Sequence, residues 1–183
     1  EEADGKIVIS GLELSKNNTR SAYVSLVLDS NKYNIVMLHG QEAEVVAKDK
    51  AEVINLKELR NRGIDYLALG HVHSYKMTEL DSRGVYCYPG CLEGRGFDEC
   101  GDHGFVVLDF NENTGVCTKE FISFAKRKLY VVEVDVTDCQ TTIEMINRTA
   151  TMIENIGCEI TSLLKIVLKG MIDIECEKDL AYL

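Results

Sequence analysis

Two apolar runs, each closing on histidine, constrain this chain more than any other feature. YNIVMLHG (33–40) and IDYLALGHVH (64–73) are hydrophobic stretches of strand length that end at His39-Gly40 and at Gly70-His71-Val72-His73. Runs of this kind read as strands of a parallel sheet, apolar on both faces. Between them, Asn55 with Glu58 three residues on has a capping-box pattern, which predicts a short helix over 56–62 with Gly63 as its C′ residue. Strand, helix and strand make a βαβ unit, and open α/β sheets place their ligands at the carboxyl ends of the strands. Both histidine groups fall at that edge. Residues i and i+2 of a strand point the same way, so His71 and His73 are expected on one side, with His39 beside them from the neighbouring strand. Three imidazoles so placed reach one metal, or two metals about 3.5–4 Å apart. A single histidine at a strand end would be an ordinary polar residue; a clustered set is not.

The rest of the chain falls into recognisable pieces. Residues 6–14 alternate as a strand, 21–28 read as either a short helix or a strand, and polar residues fill the chain from Gly40 to about Lys50. The stretches 77–80 and 85–88 form a hairpin about a DSRG turn, followed by Pro89 and a loop with glycines at 90, 94, 96, 101 and 104. A second hairpin joins 105–110 to 117–124 through NENTG. Beyond a basic linker at Lys126-Arg127-Lys128, LYVVEVDV is a strand. Asp138 is the expected cap of a helix with Ile143, Ile146, Ala150 and Ile153 on one face and Gly157 closing it, and 163–170 is a final strand. The fold class is therefore α/β (α+β), with a first domain over 1–125 and a small, truncated α/β domain over 126–183.

Charge and cysteine content narrow the function. Thirty acidic residues against 20 basic give a net charge of −10, the wrong balance for a simple electrostatic nucleic-acid binder. A bound divalent cation would invert that field locally. No apolar run approaches the roughly 18–20 residues that cross a bilayer. Seven cysteines is an odd number, so reduced thiols and a cytoplasmic setting are expected. Cys87, Cys91, Cys100 and His103 present four potential zinc ligands, but at irregular spacing, so partly buried thiols are the expectation there. The chain opens Glu-Glu-Ala-Asp and its first methionine is Met37, which leads to the expectation that it is a piece of a longer protein.

These residues resemble a family. IDYLALGHVH looks like the Gly-His-x-His motif of the calcineurin-like metallophosphoesterases, and YNIVMLHG like the isolated histidine motif before it. Pro89-Gly90, the run Glu93 to Phe97 (EGRGF) and Gly104-Phe105 resemble, in that order, the segment that follows in the DNA-repair exonucleases typified by SbcD. The resemblance covers about residues 6–125. It implies the C-terminal half of a β-sandwich flanked by helices, followed by part of a DNA-contacting capping domain. It also implies two divalent ions, commonly Mn²⁺, with His39 and His71 on one and His73 on the other, and phosphodiester hydrolysis by a metal-activated water. Arg95 would contact a substrate phosphate, or else pair with Asp98 or Glu99. The Asp-x-His, Gly-Asp and Gly-Asn-His motifs that supply the bridging aspartate are missing, and Gly101-Asp102-His103 lies out of order. They are expected before Glu1, leaving the present chain inactive alone. DNA and an SMC-like ATPase are the implied partners, and self-association is expected, with apolar residues of 33–38 or 64–69 near the contact. The rival readings are a cytosolic phosphatase or cyclic-nucleotide phosphodiesterase of the same superfamily, or a non-catalytic interaction domain.

Overall fold

The computed structural model describes residues 6–15, 19–43, 53–172 and 176. The chain is a mixed α/β fold that divides into two compact units, Glu1–Leu92 with His103–Phe124, and Glu93–Asp102 with Ala125–Leu183. The loop 93–102 thus clusters with the second unit, although in sequence it lies well inside 1–125. No helix among the described residues is long and apolar enough to cross a membrane.

In the first unit a five-stranded sheet runs in the order β1 (Ile7–Gly11), β2 (Tyr33–His39), β5 (Tyr66–Gly70), β7 (Val85–Tyr88), β6 (Lys76–Glu79). β1, β2, β5 and β7 are mutually parallel, and only β6 runs against its neighbour. The 76–88 hairpin therefore forms as its turn chemistry requires, yet its second strand docks alongside β5 and extends the parallel sheet. Val36 and Leu38 of β2, Leu67 and Leu69 of β5, and Tyr86 and Tyr88 of β7 share one face. They pack with Tyr23, Leu26, Ile54, Leu56, Leu59 and Ile64 into the principal core. On the other face burial is incomplete, and Met37 is 51% exposed. Among the described residues, β2 and β5 are thus packed on one face and only incompletely covered on the other, although both runs are apolar on both sides. The ambiguous 21–28 segment overlaps a helix, α1 (Thr19–Ser25), which delivers Tyr23 to the core.

The predicted helix over 56–62 is a single turn, α2 (Leu56–Leu59). Asn55 caps it as expected, its side-chain oxygen accepting from Lys57 N at 3.1 Å. The Asn55 N–H, which a capping-box glutamate would take, instead donates to the Tyr23 hydroxyl at 3.2 Å. The helix stops early because Arg60 is extended and Asn61 sits at φ 59°, its N–H donated to Asp81 Oδ2 at 2.6 Å. Before it, β3 (Gln41–Ala43) and β4 (Val53–Asn55) form a short parallel pair that no hydrophobic pattern announces. β8 (Gly104–Phe110) and β9 (Cys117–Ser123) form the second hairpin. Tyr33 against Phe110 and Tyr75 stacked on Phe121 attach it to the rest of the first unit.

The second unit is a βαβ element: β10 (Leu129–Asp135), α3 (Thr142–Ile156) and β11 (Leu163–Lys169), with β10 and β11 parallel. Asp138 is not the cap. It lies at φ 64°, and Thr141 caps the helix by accepting from Glu144 N, while Gly157 closes it in the left-handed region. The buried face also differs from the expected one: Thr142 and Met145 are buried, with Ile146, Thr149 and Ile153 half-buried, whereas Ile143 is 68% exposed and Ala150 is exposed. Met145 joins Val132, Val134, Val136 and Cys139 in the second core.

Candidate functional site

β2 and β5 place their last residues side by side, with His39 in register with Gly70. β5 ends at Gly70, so His71 is no longer a strand residue, and its φ of 108° is one that a side-chain-bearing residue adopts only under strain. The period-two argument for His71 and His73 therefore fails at its first residue. A different route brings two of the histidines together: the turn at His71 sets its ring edge-on to that of His39, centroids 5.5 Å apart and planes at 90°. Both residues are exposed, and neither imidazole hydrogen-bonds to another described residue. Two available imidazoles at the carboxyl edge of adjacent parallel strands are suitable donors for a borderline divalent ion.

His73 is also exposed, and its carbonyl accepts from Cys91 N at 3.0 Å and from the Cys91 thiol at 3.4 Å. Among the described residues no group of three or more His, Cys, Asp or Glu side chains is arranged to hold a metal ion. The fit is therefore partial. His39 and His71 have the chemistry and proximity for two ligand positions, and the described residues do not complete a set.

The backbone after His39 is held from several directions. Buried Tyr88 donates its hydroxyl to Gly40 O at 2.8 Å and accepts from Glu42 N at 2.9 Å, and Gly40 N donates to Gly70 O at 3.1 Å. Lys76 pairs with Glu42 and lies over the Tyr86 ring. Burial pushes the Glu42 carboxyl up, but hydrogen bonds from Lys76 and Tyr88 hold it below its usual value. Burial, with the neighbouring Glu42 carboxylate, pushes the Tyr88 phenol well above its ordinary range, so it remains a neutral donor at physiological pH. None of these supporting residues was singled out from sequence. Tyr88 has a local signal, standing directly before Pro89-Gly90, but nothing in the chain pairs it with Gly40.

Within the first unit a groove of about 820 Å³ runs from His39 between the incompletely covered sheet face and β8. Gly11, Met37, Tyr66, Phe105 and Leu108 line it. The four zinc-type residues are dispersed in role. Cys87 is buried beside Tyr66, Cys100 is exposed with its thiol on Phe97 O, and Cys91 meets buried His103 at 3.3 Å, Sγ to Nδ1. Arg95 pairs with Glu99, Nη2 to Oε1 at 3.1 Å, and its backbone N–H donates to the same carboxylate. In the second unit, Glu93 accepts from the N–H groups of Lys126 and Arg127, and Asp102 pairs with Lys128 at 2.7 Å. The basic run is thus partly neutralised by the loop that precedes it.

No protein-family model matches the chain. The chain is 32% identical over 76 residues to the uncharacterized metallophosphoesterase YhaO of Bacillus subtilis (strain 168), a stretch that covers 42% of this chain. The match spans 18% of the relative's length. That similarity, with two imidazoles at the carboxyl edge of a parallel sheet, supports the metallophosphoesterase superfamily and leaves its branches undistinguished.

Proposed function

We propose that this chain carries part of the active centre of a metal-dependent phosphodiesterase of the DNA-repair exonuclease type. The observation that carries the reading is the pair of imidazoles, His39 and His71, at the carboxyl ends of neighbouring parallel strands and without a hydrogen bond to any other described residue. In this reading they hold one divalent ion and His73 contributes to a second, with Mn²⁺ the favoured metal. The ions supply a hydroxide nucleophile at neutral pH and offset phosphate charge. The strained backbone at His71 supports the assignment, because such strain persists where the surrounding structure holds a functional side chain in place. Arg95, although paired with Glu99, keeps a 65% exposed side chain and is the proposed phosphate contact. DNA as substrate, an SMC-like ATPase as partner and a DNA-contacting role for 126–183 complete the proposal and rest on the sequence resemblance; a cytoplasmic setting is proposed from the odd number of cysteines.

The test is Mn²⁺ binding by titration calorimetry alongside hydrolysis of linear DNA and of bis(p-nitrophenyl) phosphate. The 183-residue chain is expected to bind Mn²⁺ weakly, with binding lost in His39→Ala and His71→Ala. It is expected to hydrolyse both substrates negligibly, since two metal ions need a shared carboxylate to offset their repulsion. Mn²⁺ binding indifferent to both substitutions would refute the site. Robust Mn²⁺-dependent cleavage abolished by His73→Ala would refute the dependence on a bridging group from outside the described residues. Turnover of the small diester but not of DNA, once a bridging group is supplied, would favour the cyclic-nucleotide phosphodiesterase reading.

A further inference from the structure

We propose that Gly70 is a positioning residue for the His39 imidazole: the space left by its missing side chain is where that ring sits, and Tyr88 fixes the backbone that aims it. The functional meaning of this rests on the metal-site reading above; the geometry does not. His39 and Gly70 are cross-strand partners, so their side chains lie on the same face of the sheet. A Cβ added at Gly70 would stand 2.7 Å from His39 Nδ1, 3.5 Å from Cε1 and 3.6 Å from Cγ. Ordinary contact begins at about 3.4 Å, so a methyl group at residue 70 and the ring in its present place exclude one another.

What the clash meets decides its consequence. At Gly84 and Gly104 an added Cβ would strike backbone carbonyl oxygens, of Ile64 and Ile122, and the sheet itself would have to move. At Gly70 the nearby atoms belong to one exposed side chain, which can rotate. Gly70 is a regular strand residue and not among those at positive φ, so alanine there costs nothing in backbone strain. The glycine is therefore dispensable for the strand and needed for the ring. The backbone side of the same device is Tyr88, whose hydroxyl bridges Gly40 O and Glu42 N immediately after His39. With the ring seated over Gly70 and the following residue clamped, the His39 imidazole is held facing His71 without a hydrogen bond from any described residue to either ring.

The experiment is proton NMR of the metal-free 183-residue chain, with the imidazole resonances assigned through His39→Ala and His71→Ala, followed by Co²⁺ titration. Gly70→Ala is expected to keep the backbone amide spectrum except around residues 39 and 70, and to lose the nuclear Overhauser contact between the two rings. Its Co²⁺ affinity should fall by about tenfold or more, to the level of His39→Ala. Tyr88→Phe, which removes one oxygen, should keep a cooperative unfolding transition while shifting the His39 ring resonances. Persistence of the inter-ring contact in Gly70→Ala overturns the proposal; should that variant not fold, unchanged His39 resonances in Tyr88→Phe overturn it. If the contact is lost in Gly70→Ala but the unsubstituted chain binds no Co²⁺, the positioning stands and the metal-site reading fails.

Discussion

Replacing His71 by glycine and, separately, by alanine separates the backbone strain at this position from the chemistry of its ring. Both substitutions remove the imidazole, and both leave an exposed site with little packing to lose. They differ in the backbone. At φ 108°, alanine retains the steric conflict between Cβ and the chain, and glycine does not. A residue held in such a region costs about 1–3 kcal/mol. Glycine gives back roughly 0.4–1 kcal/mol through the greater freedom of its unfolded chain. His71→Gly is therefore expected to be more stable than His71→Ala by about 0.5–2 kcal/mol. Urea unfolding read by tyrosine fluorescence measures this, because the chain has no tryptophan and Tyr23, Tyr66, Tyr86 and Tyr88 are buried in the first unit. Metal binding should be equally impaired in both. An alanine variant as stable as the glycine variant would show that the turn at His71 stores no strain, and would remove that support from the functional reading.

In the second unit, Thr141→Ala is expected to lower stability by about 1 kcal/mol through loss of the helix cap, while Asp138→Ala leaves the helix content of the circular dichroism spectrum unchanged; a larger helix loss in the Asp138 variant would refute the observed cap. Burial pushes the Asp81 carboxyl up, but the N–H groups of Asn61, Arg83 and Gly84 and the Arg83 charge bring it below its usual value. A depressed folded value means that its contribution is fully present above the unfolded value of about 3.9 and is lost as pH falls through the folded one. Urea midpoints should therefore drop more between pH ~5 and ~2.5 in the unsubstituted chain than in Asp81→Asn, and equal drops would refute the linkage. Self-association is expected through β1 rather than through 33–38 or 64–69, because among the described residues β2 and β5 are interior strands while β1, like β6, is an edge of the sheet. Ile9 there is 48% exposed and Gly11 has open space beside it, so Ile9→Lys should shift sedimentation equilibrium toward monomer; a monomeric unsubstituted chain at micromolar concentration would refute it.

Much of this protein is determined locally and was readable as such. The runs 33–39 and 66–70 are strands because apolar residues of strand length leave no other economical burial, and Gly157 closes α3 because the left-handed region there favours a residue without Cβ. Both hairpins follow from their turns, and the placement of His39 and His71 at strand ends follows from where the apolar runs stop. What local pattern leaves open is decided by distant partners. Asp81 takes the Asn61 N–H and ends α2 after one turn, and Tyr23 replaces a capping glutamate at Asn55. Thr141, not Asp138, caps α3, and the helix buries Thr142 and, against β10, Met145 rather than Ile143. The pairing of β7 with β5, the turn that sets His71 against His39, and the void at Gly70 that admits the ring all depend on which strands become neighbours. A sequence specifies each strand's faces through its own two-residue period. Only the folded sheet specifies which side chain, or which missing one, lies across from which, because that is a property of register between segments about 30 residues apart.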